Sequence, residues 1–171
     1  GEKTTGTVTV TNAVAISGTE AEVTAALVTD GSKVEVSAAT VTISGNPSIT
    51  ALNNIADETT GAVTATLAAA SLTDLGSLST AGTDVITVTV NDANDAAVTA
   101  ANLSTLGGKT AGTVTVTNAV AITGDHDQLT AALVTAGTKV SVSDATVTVN
   151  DVDATGITAA ELSAIGGATT G

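Results

Sequence analysis

Residues 7–27 read TVTVTNAVAISGTEAEVTAAL, and their first ten letters recur unchanged at residues 113–122. Valine and threonine alternate at the start of this stretch with the period of a strand, so Val8 and Val10 share one face. β-branched residues suit strands. Residues 14–16 predict a second short strand after a turn. The stretch therefore begins with two strands in quick succession.

A helix signal follows the two strands. Thr19 and Glu22 have the spacing of a capping box, in which each side chain satisfies a backbone N–H of the first helical turn. Val23 and Leu27 lie on one face of the predicted helix. Gly31 is placed to take the left-handed conformation that ends many helices. Residues 7–31 thus predict one β–turn–β–α unit.

The same helix signal occurs six times, with further capping boxes at Asp125/Gln128 and Thr158/Glu161. Isolated helices of two or three turns are marginal in water, so neighbouring units must supply the packing. The predicted N-caps are Thr19, Ser48, Ser71, Thr99, Asp125 and Thr158. The apolar pairs that follow them are Val23/Leu27, Leu52/Ile55, Leu75/Leu78, Leu103/Leu106, Leu129/Leu133 and Leu162/Ile165.

Short segments ending in TTG or TAG divide the chain into blocks. They close at Gly6, Gly61, Gly112 and Gly171, which gives blocks 6–60, 61–111 and 112–170. Each block holds two helix signals. Gly171 has the same repeat phase as Gly6, and we therefore expect either that the natural chain continues or that copies stack end to end.

The repeat predicts an α/β fold. We expect one solenoid domain over residues 1–171, a right-handed β/α solenoid of about six stacked β–turn–β–α coils with parallel strands, similar in outline to a leucine-rich repeat. Because all these elements are short, an all-β solenoid whose helical signals are bent loops stays open as the alternative.

Composition excludes several function classes. The formal net charge is −13, with four lysines and no arginine, so binding to nucleic acid or to an anionic membrane surface is not expected. No apolar run is long enough to span a bilayer, and we predict no membrane insertion. Phe, Trp, Tyr, Met and Cys are absent, so the core must consist of Val, Ile, Leu and Ala.

The single histidine does not predict catalysis. His126 lies between Asp125 and Asp127, which could suggest a base or a metal ligand. Asp125, however, is the predicted N-cap, which places His126 on the first helical turn, in solvent. The serines and threonines have no dedicated base, so we predict no enzyme activity.

Calcium is the one candidate cofactor. Asp151 and Asp153 precede a glycine in the spacing of a calcium loop, and Asp92 and Asp95 occupy the equivalent turn of the preceding block. An EF-hand is not predicted, because its twelfth position is Leu162. The preference of Asp and Asn for turns explains the same residues without a metal.

Threonines at alternate positions could line a flat, ice-binding-like face, as in residues 7–11 and 113–117. Lys33 and Glu35 interrupt that row in one neighbouring repeat, and Lys139 and Ser141 do so in the other. Exposed threonines on half-buried strands are the simpler interpretation.

Three stretches carry a family resemblance: TVTVTNAVAITG (113–124), LTAALVTAGTKVSVSDATVTV (129–149) and GITAAELSAIGGATTG (156–171). With their earlier copies, they resemble the Ala/Thr/Val-rich tandem repeats of very large bacterial surface and adhesin-like proteins, notably of cyanobacteria and marine bacteria. The resemblance implies an extracellular structural or adhesive role, and it assigns no functional residue.

We therefore predict an extracellular or cell-surface structural repeat module without catalytic activity, serving as a spacer, a surface-layer component or a filament component. Its expected partners are copies of itself, end to end, or further repeats of the same chain. The alternative is an adhesive or ligand-binding module that uses calcium, glycan or ice contacts on one solenoid face.

Overall fold

The structure is a computed structural model that describes residues 3–153 and 155–171. Short strands alternate with short helices throughout these residues. The strands are β1 (Val8–Val10), β2 (Ala15–Thr19), β3 (Val34–Val36), β4 (Thr40–Ser44), β5 (Val63–Thr66), β6 (Val85–Val90), β7 (Ala97–Thr99), β8 (Val114–Val116), β9 (Ala121–Gly124), β10 (Val140–Val142) and β11 (Thr146–Val149). The helices are α1 (Glu20–Val23), α2 (Ile49–Asp57), α3 (Leu72–Leu75), α4 (Ala100–Gly107), α5 (His126–Leu129) and α6 (Ala159–Gly166).

All six predicted N-caps are confirmed. Each cap side chain accepts a hydrogen bond from the backbone N–H three residues later, which satisfies one of the free donors of the first turn. The three capping boxes are also formed. The helix starts are therefore determined by local sequence.

Two helices have an ending that the sequence did not predict. α1 and α5 continue as π-helical turns at Thr24–Val28 and Thr130–Val134, both of sequence TAALV. In the first of them the backbone N–H and hydroxyl of Thr29 both donate to the carbonyl of Thr24. Gly31 then has a φ of 89°, the predicted left-handed conformation.

The described chain divides into two units. The first comprises residues up to 68 together with 78–87 and 109–112. In it, β1 pairs with β3, and β2, β4, β5 and the beginning of β6 form a second sheet in that order. Each of these pairs is parallel. α1 and α2 belong to the same unit.

The second unit comprises residues 69–77, 88–108 and 113–171. In it the end of β6, β8 and β10 form one parallel sheet, and β7, β9 and β11 form another. Val88, Val114 and Val140 lie opposite one another on the three strands of the first sheet. The helices α3 to α6 complete this unit.

The core has the predicted composition. Its buried apolar side chains in the described residues are all Val, Ile, Leu or Ala. Both members of four predicted apolar pairs are buried, and the last two pairs differ from the prediction. Leu133 is half-buried, and Leu162 is 46% exposed although Ile165 beside it is buried.

The mixed α/β class with parallel strands is confirmed, and the all-β alternative is wrong, because helices follow all six caps. The middle of the chain is the least regular part: a single strand, β5, precedes α3, and Gly76 ends that helix. The division into blocks 6–60, 61–111 and 112–170 stays a prediction. Among the described residues, no helix has the length and apolar character needed to cross a bilayer.

Candidate functional site

Two of the four candidate calcium ligands are occupied by helix N-termini. The Asp92 carboxylate accepts the Leu72 N–H at 2.7 Å, and the Asp151 carboxylate accepts the His126 N–H at 2.8 Å. Leu72 and His126 are the first residues of α3 and α5. An acidic side chain at this position suits both the free N–H and the positive end of the helix. The two turns therefore share a capping role.

The other two candidates are not brought into a common cluster with these. Asp95 has a φ of 62°, and its N–H donates to the Ala119 carbonyl at 2.8 Å. Asp153 is exposed. Within residues 3–153 and 155–171, no group of three or more His, Asp or Glu side chains has an arrangement that could hold a metal ion.

Calcium should therefore leave the stability unchanged. We expect the melting temperature to differ by less than about 1 °C between excess chelator and millimolar calcium. A calcium site filled at 100 times its Kd would instead add about 2.7 kcal/mol to the free energy of unfolding. Thermal unfolding followed by circular dichroism measures this. A rise of several degrees that disappears in Asp151→Asn would instead support a calcium site at this turn.

The side chains of His126 and Asp151 form a hydrogen-bonded pair in the second unit. The sequence predicts His126 in solvent, and this is wrong: its side chain is only 15% exposed and that of Asp151 only 10%. The Nδ1 atom of His126 lies 2.7 Å from Asp151 Oδ1, and Nε2 lies 3.4 Å from the exposed Asp127 carboxylate. A residue 25 positions further along the chain thus covers the histidine.

The pair shifts the titration of both groups. The hydrogen bond to Asp151 raises the pKa of His126, and the nearby Asp127 and Glu161 carboxylates act in the same direction. The same hydrogen bond lowers the pKa of Asp151. Because an ionised carboxylate only accepts, Nδ1 is the donor, and the contact is strongest when the imidazole is protonated.

These shifts predict a pH window. The raised pKa of His126 gives stability that is fully present below 6.5, the ordinary histidine value, and is lost as pH rises through the folded-state pKa. The lowered pKa of Asp151 gives stability that is present above 3.8 and is lost as pH falls. The pair therefore stabilises most between these limits.

His126→Gln tests this window. We expect the melting temperature of the variant to fall below that of the original chain at pH 5.5, and the gap to narrow by pH 8.5, because Gln cannot gain a proton. Asp127→Asn is the control, since the Asp127 side chain is itself 88% exposed and its contact with His126 should matter little. A gap for His126→Gln that is equal at both pH values would contradict the assignment.

An open cleft of about 380 Å³ lies beside the pair. Its lining includes Thr155, whose hydroxyl donates to the Val152 carbonyl at 2.8 Å. The imidazole faces carboxylates on both sides, and the hydroxyl in the cleft is already bonded to the backbone. The arrangement joins two segments of chain, because the imidazole of one is hydrogen-bonded to a carboxylate 25 positions later.

A recurring backbone contact was not recognised in the sequence. Residues 59–61, 110–112 and 169–171, which we call the Thr-X-Gly turns, each lie on a carbonyl of the preceding repeat. The threonine hydroxyls donate to Ala39, Ile86 and Ala145 at 2.6, 2.8 and 2.6 Å. A methyl group on any of the three glycines would overlap the same backbone. The TTG and TAG repeats were the available signal.

Asp84 was also missed. It is 4% exposed, and its carboxylate accepts the Val63 and Ala81 N–H groups, both at 2.8 Å. Its carbonyl accepts the Ala111 N–H. Nothing in the local pattern separates this aspartate from an exposed turn residue, because its main partner is 21 residues away.

The strand register agrees with an interrupted threonine row. Glu35 lies opposite Thr9, and Ser141 lies opposite Thr115. These pairs are the interruptions expected from the sequence, so the face has no continuous Thr ladder at these strands.

Comparison of the chain with protein-family models, with curated proteins and with solved structures returned no match.

Proposed function

We propose that this chain is a structural repeat module that acts outside a bacterial cell as a spacer, a surface-layer component or a filament component. In this proposal its short strands and helices are the coils of a right-handed β/α solenoid, about six in number. The module has no catalytic activity and needs no cofactor. Its partners are copies of itself or further repeats of the same chain.

One observation carries the proposal: the specific polar side chains bond from one repeat to the next. These bonds join residues 20 to 28 positions apart, about the length of one coil. They are Glu20 to Ser48, Thr59 to Ala39, Asp92 to Leu72, Thr110 to Ile86, Asn118 to Asp92, Asp151 to His126, and Thr169 to Ala145. Side chains used in this way hold a stack together and leave little for a substrate.

The bond from Glu20 is the simplest example. Its carboxylate accepts the N–H of Ser48 at 2.8 Å, and the Ser48 hydroxyl donates to it as well. Ser48 is itself the N-cap of α2. The side chain that begins one helix is thus fixed by the helix before it, which is the nearest-neighbour coupling that stabilises solenoids.

The charge also suits an extracellular structural role. A formal net charge of −13 with few lysines keeps a concentrated repeat protein soluble and discourages sideways clumping. The exposed positions of the strands are mostly threonine and serine, which leaves few apolar side chains for nonspecific adhesion.

The size of one chain limits what it can do alone. In the proposed solenoid neighbouring strands would lie about 4.8 Å apart, so six coils would advance only about 29 Å. A spacer or filament of useful length therefore needs many such modules in series, which is why the proposal includes continuation from one module to the next.

Immunogold electron microscopy of intact source cells tests the proposed location and role. Antibodies raised against the chain are expected to label material outside the cell envelope, in rows or layers. Label confined to the cell interior would overturn the proposal. Dispersed extracellular label that disappears when the binding of the protein to glycan is removed would favour the adhesive alternative.

A further inference from the structure

The β6–β8 pairing in the second unit is an internal template for contact between copies. Residues 87–92 and 146–151 have the same sequence, TVTVND, and residues 7–16 and 113–122 have the same sequence, TVTVTNAVAI. The segments at 87–92 and 113–122 are paired in parallel, with Val88 opposite Val114. The second member of each identical pair, at 146–151 and 7–16, supplies β11 and β1. In the described residues both strands keep a free edge.

We propose that the free edge of β11 receives β1 of a second copy of this chain, in parallel, with Val147 opposite Val8. This deepens the proposed function and rests on it, because it names the surface through which modules continue. The contact joins two different patches, so it is heterologous and generates an open filament where the rotation does not close a ring. The interface is a strand addition, in which main-chain hydrogen bonds supply affinity and the alternating side chains fix the register.

The template predicts the bonds. The Val88 N–H donates to the Thr113 carbonyl at 2.9 Å, and the Thr117 N–H donates to the Val90 carbonyl at 3.1 Å. The Asn118 side-chain amide donates to the Asp92 carbonyl at 2.7 Å. The equivalent bonds between copies run from Val147 to Thr7, from Thr11 to Val149 and from Asn12 to Asp151.

Exposure supports the same contact. Val8 is 41% exposed and Val14 is 38% exposed, whereas the equivalent Val114 and Val120 are fully buried. Identical sequences differ in burial because one copy is covered and the other is not. The exposed valines are therefore the apolar part of an interface that the internal copy has already filled.

The exposed leucine of α6 has the same explanation. Residues 97–108 and 156–167 are close copies, AVTAANLSTLGG and GITAAELSAIGG. Leu103 on α4 is fully buried, and α5 packs against that helix. Leu162 is its equivalent on α6 and is 46% exposed. In the stack, α1 of the next copy packs on α6 in the same way as α5 packs on α4.

Gly166 offers the sharpest test. A methyl group on Gly107 would overlap the backbone of Thr138, which belongs to the following repeat, whereas nothing lies within 4 Å of a methyl group on the equivalent Gly166. Gly166→Ala should therefore leave the single chain intact and obstruct only the next copy. Gly137→Ala is the matched control, because a methyl group there would meet only the Thr135 side chain, at an ordinary contact distance of 4.0 Å, and Gly137 lies outside the proposed contact.

When separate copies associate, two chain segments compete for one position, the place beside the Ala145 carbonyl. The incoming chain carries residues 4–6, in which the Gly6 N–H donates to the Thr4 hydroxyl, as in the Thr-X-Gly turns. Residues 169–171 already occupy the equivalent place on Ala145. One of the two segments has to move aside, so we expect association of separate copies only at high protein concentration. Added salt should strengthen it by screening the net charge.

Sedimentation velocity over a concentration series tests the contact. We expect the original chain and Gly137→Ala to grow in size with concentration and salt, and Gly166→Ala to associate at least about tenfold more weakly while it melts at the same temperature or higher. Equal association of Gly166→Ala and Gly137→Ala would overturn the proposed surface, and so would an original chain that stays monomeric throughout the series.

Disulfide trapping tests the register. Thr9→Cys combined with Thr148→Cys places the two sulfurs on opposite residues of the proposed ladder, within disulfide reach. We expect covalent multimers on oxidation, and none from Thr9→Cys combined with Thr146→Cys, which is two residues out of register. Regular stacks in electron micrographs without this cross-link would reject the register while leaving the proposed function standing. Multimers trapped by this cross-link, in a protein that is labelled only inside the cell, would support the register while rejecting the proposed function.

Discussion

Gly112→Ala is expected to lower the melting temperature by about 6–12 °C. Gly112 is buried, and the added methyl group would overlap the backbone of Ile86. The atoms it meets belong to the main chain of β6, so no side-chain rotation relieves the clash. Overpacking of this kind costs about 3 kcal/mol, and each kcal/mol shifts the melting temperature of a chain of this size by about 2–4 °C.

Loss of a hydrogen bond adds to this effect. The Thr110 hydroxyl donates to the Ile86 carbonyl at 2.8 Å and accepts the N–H groups of Ile86 and Gly112. Moving residues 110–112 away from β6 breaks these bonds together. Gly166→Ala is the control, since it makes the same chemical change in open space and should be neutral or stabilising in the single chain. Equal melting temperatures for the two variants would show that the Thr-X-Gly turn at residues 110–112 does not hold Ile86 of β6.

Asp84→Ala is expected to be about as harmful, with a loss of about 3 kcal/mol. The buried Asp84 carboxylate satisfies the N–H groups of Val63 and Ala81, and its removal leaves the fully buried Val63 without its acceptor. A buried donor that loses its partner costs about 1–3 kcal/mol, and hydrogen bonds to a charged group are the stronger class. Urea unfolding measures the change.

Two further variants separate charge from hydrogen bonding at this position. Asp84→Asn keeps one acceptor oxygen but points an amide N–H at a second donor, so it should recover about half of the loss. Asp30→Ala removes the same charge from an exposed position and should change stability by less than about 0.5 kcal/mol. Similar losses for Asp84→Ala and Asp30→Ala would contradict the role given to Asp84.

Local features of the fold were predictable. A Ser, Thr or Asp cap requires only a backbone N–H three residues away, so Ser71 and Asp125 were recognised from a few letters of sequence. Alternating Val and Thr located β1 and β8, because this pattern is also confined to neighbouring residues. Burial of the apolar pair was predicted correctly in the first four repeats; Leu133 is only half-buried, and Leu162 is exposed where the described chain provides no covering helix.

Long-range polar contacts were not predictable. Asp92 and Asp151 were identified as special because acidic residues recur in one turn, but the carboxylate of each serves a helix 20 or 25 positions earlier. A single sequence identifies the hydrogen-bond partner of a side chain only when the two residues are a few positions apart. His126 was placed in solvent for this reason: the residue that covers it belongs to another repeat.

The threonines of the Thr-X-Gly turns illustrate an intermediate case. Their recurrence before Gly61 and Gly112 was visible, but small residues before glycine are common in turns, and the pattern does not show that the hydroxyl binds a carbonyl of another repeat. In the structure each of these hydroxyls donates to a backbone carbonyl 20 to 24 positions earlier.

Cryo-electron microscopy of the concentrated chain would show whether the repeat itself is the function and continues from one module to the next. Such continuation predicts filaments with strands about 4.8 Å apart along the axis and a longer axial repeat of about 29 Å for each chain of six coils. Dispersed particles at every concentration and salt level, or assemblies whose strands do not run across the filament axis at that spacing, would contradict it.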